Sequence, residues 1–160
     1  MPRPLPALIL ALLLTATGSI AQGLVISTGP DASDLERLAA AEVQRYLYLR
    51  TGEMVSIDDA EGGTGPRIAL GIDRGLPEQG YRLHTSGPVG RRSLEIVGGS
   101  PVGVLYGAYA FAAELGVEFF LHGDVVPDDR TSLVLPTLDI ESSPLFEHRG
   151  IQPFHDFPEG

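Results

Sequence analysis

The chain has 160 residues, enough for one domain with a modest core, and it contains no cysteine, so packing and not disulfides must hold it together. All eleven basic residues are arginine, and a net charge of −10 argues against a nucleic-acid partner and against anionic membrane surfaces. A neutral ligand such as a sugar remains compatible with that balance.

Met1 to Ala21 has a basic Arg3, a short apolar run from Leu5 to Leu14, and small residues, Ser19 and Ala21, ahead of Gln22. This pattern predicts a secretory signal peptide over residues 1–21, cut near Ala21, because the run is too short to span a bilayer. The mature protein is then expected to be secreted or periplasmic and not membrane-bound.

Leu24 to Ser27 reads as a first strand, and Thr28-Gly29-Pro30-Asp31 as a turn. Asp31 or Ser33 should cap a helix from about Asp34 to Arg50, where Leu35, Leu38, Ala39, Val43, Tyr46, Leu47 and Leu49 follow helical spacing and Glu42 is the polar exception. Gly52 stops it. Strands are predicted over Met54–Ile57, Arg67–Gly71, Tyr81–Thr85 and Ser93–Val97, the last two as an antiparallel hairpin. Residues 58–66 form a polar, glycine-rich loop.

Gly98 to Pro127 is the most strongly marked stretch. Ser100 is an N-cap, Pro101 takes the first helical position, and Gly116 ends the helix. Val102, Leu105, Tyr106, Tyr109 and Ala113 give one apolar face. Gly103, Gly107 and Ala110 line a strip along which another backbone could come close. A strand, Val117 to Leu121, follows. The order β-α-β-β-β-β-α-β predicts an α+β fold: a mixed, mostly antiparallel sheet with two helices packed on one face.

Domain boundaries follow from composition. Residues 22–127 form the α+β domain and 128–144 a linker, in which Leu133–Leu135 and Leu138–Ile140 are short extended pieces split by Pro136, ending in Ser142-Ser143-Pro144. Residues 145–160 begin something new, with Phe146, Ile151, Phe154 and Phe157 close together.

Candidate chemistry is sparse. The Gly98–Gly103 turn lacks the Lys-Ser/Thr of a phosphate loop, so its glycines are read as geometric. His84, His122, His148 and His155 form no HxxxH or HExxH spacing, and neither a metal site nor a cofactor is expected. Asp58-Asp59 and Asp128-Asp129 read as solvated loop carboxylates and not as an opposed catalytic pair. The densest polar cluster among aromatics is Glu147, His148, Arg149, His155, Asp156 and Glu159, a composition suited to sugar hydroxyls.

The phrases GVLYGAYAFAAELGVEFFLHGDVVP and Pro-Leu-Phe-Glu-His-Arg-Gly resemble the non-catalytic N-terminal domain of exo-acting glycoside hydrolases, the family-20 β-N-acetylhexosaminidases and family-67 α-glucuronidases with their relatives. The resemblance implies that this domain precedes a (β/α)8 barrel, packs against it, and that residues 145–160 are the start of that barrel, the RG phrase falling in its first strand. It implies sugar contact for Arg149 and, more distantly, for Asp156. The catalytic carboxylates would lie on later strands, so no catalytic residue is assigned. A freestanding secreted carbohydrate-binding or interaction module is the alternative expectation.

Overall fold

The computed structural model describes residues 23–58 and 65–150. The expected signal peptide, most of the 58–66 loop and the final segment with Phe154, His155, Asp156 and Phe157 lie outside the described residues.

The elements run β1 (Val25–Ser27), α1 (Asp34–Thr51), β2 (Ser56–Asp58), β3 (Arg67–Ile72), β4 (Tyr81–Ser86), β5 (Ser93–Gly98), α2 (Pro101–Glu114), β6 (Glu118–Phe120), β7 (Gly123–Val125) and β8 (Asp139–Ser142). Of the two candidate caps of α1, Ser33 is the one used. Its hydroxyl accepts from the Glu36 N–H at 3.3 Å, and the Glu36 carboxylate accepts from the Ser33 N–H at 2.9 Å, a reciprocal capping box. Gly52 closes the helix at φ 78°, a left-handed conformation that a side chain would disfavour.

The main sheet has six strands in the order β2-β1-β3-β5-β4-β8. The fold is α+β with a mixed sheet, but "mostly antiparallel" does not describe it: β1–β2, β1–β3 and β3–β5 are parallel, and only β4–β5 and β4–β8 are antiparallel. The reason is topological. β1 is joined to β2 through α1, and a crossover of that kind returns a strand in the same sense. Helical and strand periodicity identify the elements but not their order across the sheet.

Register divides the sheet into two unlike faces. Ile26, Ile68, Leu94, Leu70, Ile96 and Leu83 are matched across neighbouring strands and are all buried. They meet the helices. The alternate residues form a polar face, with Glu95 opposite His84 and His84 opposite Asp139 in one row, and Arg82 opposite Glu141 in the next.

Helix α2 lies on the buried face through its small residues. Gly103 and Gly107 are buried beside Val104, Ala108 and Phe111. A Cβ added at Gly103 would run into the carbonyl oxygen of Gly80, and one at Gly107 would come within 2.8 Å of the Ile96 Cγ2. The strip expected to admit another backbone therefore faces the sheet. The face of Val102, Leu105, Tyr106, Tyr109 and Ala113 is only partly covered, with Leu105 still packed against the core. This helix is apolar on nearly all sides, so hydrophobic spacing by itself does not tell which side is inward.

Two expectations for the second half need correction. The order β-α-β-β-β-β-α-β counts the Val117–Leu121 strand with those of one sheet; among the described residues β6 pairs with β7, in a separate hairpin. Residues 128–144 are not simply a linker. They carry β8, the sixth strand of the sheet, and Leu135 and Leu138, which are buried in the core. The Thr85 hydroxyl accepts from the Leu138 N–H at 3.2 Å, fastening this return to β4. No helix among the described residues is long and apolar enough to cross a membrane.

Candidate functional site

The site is built where residues 145–150 meet the loop before β4 and the start of α2. These six residues form no strand among the described residues, and Leu145 and Phe146 are exposed. Gln79 organises the contact. Its amide nitrogen donates to the Glu147 carbonyl at 2.9 Å, and its amide oxygen accepts from the Arg149 Nη2 at 2.9 Å. The Arg149 guanidinium sits 5.3 Å from the centre of the Tyr106 ring, a cation–π arrangement.

Gln79 is held in turn by local geometry. The carbonyl of its neighbour Glu78 accepts from the Ser100 hydroxyl at 2.7 Å, so the cap of α2 also ties down this loop. Further along the same loop the Asp73 carboxyl is held below its usual value, first by the Gly75 N–H and then by Arg82 at 2.9 Å. Together Gln79, Tyr106, Glu147, His148 and Arg149 line an open cavity of about 460 Å³. Its walls offer an aromatic ring, an amide, a carboxylate, an imidazole and a guanidinium.

A second feature lies on the outer side of the helix layer. The hairpin β6–β7 is fixed to α1 by Asp124, whose Oδ2 accepts from the Tyr46 hydroxyl at 2.5 Å and lies 3.4 Å from both terminal nitrogens of Arg45. Phe119 packs edge-on against Tyr46 and Tyr109, with ring centres 5.7 and 5.4 Å apart. Burial, and then the bond to Asp124, pushes the Tyr46 hydroxyl up to about 12. Tyr109 is raised as well, by burial first and then by the Glu42 and Asp124 carboxylates. Exposed apolar side chains stand on both elements: Leu35, Leu38 and Leu49 on α1, and Phe119, Phe120, Leu121 and Val125 on the hairpin.

Of the residues singled out in the sequence, Glu147, His148 and Arg149 come together, with Gln79 and Tyr106 as partners that sequence reasoning missed. No short-range signal marks Gln79; it lies 70 positions from Arg149. Asp156 and His155 lie outside the described residues. His84 is on the polar sheet face, 3.3 Å from Asp139, and His122 stacks on Phe120. Among the described residues no group of three His, Cys, Asp or Glu side chains is arranged to hold a metal ion.

No family model and no curated protein matches the chain. Among solved structures it is similar to portions of glycoside hydrolases. One is the GH20 exo-β-N-acetylglucosaminidase of Vibrio harveyi in complex with N-acetylglucosamine, at 19% identity and a TM-score of 0.48, covering 79% of this chain and 16% of that one. Another is the β-N-acetylhexosaminidase of Bacteroides fragilis, at 14% identity and a TM-score of 0.44, covering 75% of this chain and 20% of that one. A GH115 4-O-methyl-α-glucuronidase with specificity for decorated arabinogalactans matches at 21% identity and a TM-score of 0.43, covering 60% of this chain and 14% of that one. The chain thus spans a fifth or less of each of these enzymes.

Proposed function

We propose that the chain is the N-terminal accessory domain of a secreted glycoside hydrolase that degrades carbohydrate, the domain itself being non-catalytic. One observation carries this reading. The helix layer has an apolar outer side, and the chain leaving β8 is brought to that same layer, where Arg149 rests on Tyr106. Exposed apolar side chains gathered on one layer suit a docking surface. A catalytic barrel following in the same polypeptide is the partner that the LYGAYAFAAELGVEFF and FEHRG phrases suggest.

In such a parent the domain buries the flank of the barrel. Arg149, and Asp156 beyond it, meet sugar hydroxyls. The contacts that Arg149 makes here are solvent-exposed and easily exchanged. Acid-assisted cleavage of the glycosidic bond falls to carboxylates outside this sequence. Export follows from the 1–21 signal segment.

The test is the intact mass of the native protein from its source, together with its hydrolysis of a panel of nitrophenyl glycosides. A mass several times that of this chain, with release of nitrophenol from at least one glycoside, is the expected result. A mass equal to this chain after removal of residues 1–21, or a large protein inert on every glycoside, overturns it.

The open cavity beside Tyr106 favours a second reading, a freestanding module that binds oligosaccharide. It requires at least millimolar affinity, about −4 kcal/mol, for some member of a glycan panel, lost in Arg149→Ala.

A further inference from the structure

We draw no further inference here: the strongest candidate, the uncovered polar face of the six-stranded sheet with its cross-strand row of Glu95, His84 and Asp139, carries nothing because no feature of the structure shows what covers it.

Discussion

The Nε of Arg50, in the last turn of α1, donates to the carbonyl of Leu115, just past the end of α2, at 2.7 Å. The same side chain is buried and donates through Nη1 to the carbonyls of Pro127 and Asp129. One guanidinium thus joins the ends of both helices to the segment that returns to the sheet. Leu115 and Pro127 are partly buried and Asp129 is exposed, so each carbonyl left without its donor costs toward the low end of about 1–3 kcal/mol. Arg50→Met should therefore lower stability by about 2–3 kcal/mol, read as a drop in the urea midpoint. Arg50→Lys should recover little, since an ammonium cannot reproduce the planar fork.

Glycine substitutions test the seating of α2. On helix propensity alone, Gly103→Ala should stabilise by about 1 kcal/mol. The added methyl group would meet the Gly80 carbonyl, so the structure predicts the opposite sign, a loss of about 1–3 kcal/mol. Gly71→Ala, on the polar sheet face with nothing within 4 Å of the new Cβ, should be close to neutral. Thermal unfolding of the two variants side by side reads the difference.

Core truncation sets the scale for both. Phe111 is fully buried between α2 and the sheet. Phe111→Ala should cost about 3–5 kcal/mol, whereas Phe146→Ala, at an exposed position, should leave the unfolding free energy within about 0.5 kcal/mol of the parent.

Alkaline titration reports on the hairpin. The Tyr46 hydroxyl has an ordinary value of 10.0 and is pushed up to about 12 in the folded chain. Because the folded value is the higher, this group's contribution to stability is complete below about pH 10 and is lost as pH rises through about 12. Ultraviolet titration should show two tyrosines ionising late, of which the Tyr46 component is lost in Tyr46→Phe while that of Tyr109 remains. Asp124→Asn should move that ionisation part of the way back, the effect of burial remaining. Ionisation of Tyr46 near pH 10 in the folded protein would contradict the assigned contact.

Exposure of the helix layer is measurable directly. The isolated chain should bind a hydrophobic dye, and Phe120→Ser with Leu121→Ser, which leaves the packed Phe119 ring in place, should reduce that binding. Removal of residues 145–160 should improve solubility by taking away Leu145 and Phe146. A cut after Pro127 should instead give an insoluble product, because it removes β8, Leu135 and Leu138. Unchanged solubility after the shorter cut would count against an interrupted domain boundary in this region.

Sequence alone made the elements of α1 and α2 legible because their ends are chemically marked: Ser33 and Ser100 at the starts, Gly52 and Gly116 at the stops. The β4–β5 hairpin was legible for a similar reason, alternation on either side of a glycine-containing turn. Strand order was not, since no local pattern states that β5 lies between β3 and β4. The inward side of α2 was obscured because its outward side is also apolar. β8 was legible only as a short extended piece at Leu138–Ile140 inside a segment assigned as linker, because Pro136 and Ser142-Ser143-Pro144 resemble punctuation and its partner, β4, lies more than fifty positions earlier. At the candidate site, Arg149 stood out through its phrase, while Gln79 and Asp124 act only through contacts that folding brings about.

The two faces of this domain differ in a way that gives it a direction. One broad side is a sheet studded with charges of both signs and suited to water. The other is a helix layer tipped with aromatic rings. A body of that kind is not interchangeable end for end: turned over, it would bury Glu95, Asp139 and Glu141 and leave its rings wet. Its attachment to any larger assembly therefore has a single favourable sense, written into α2 by keeping the glycines on one side and the tyrosines on the other.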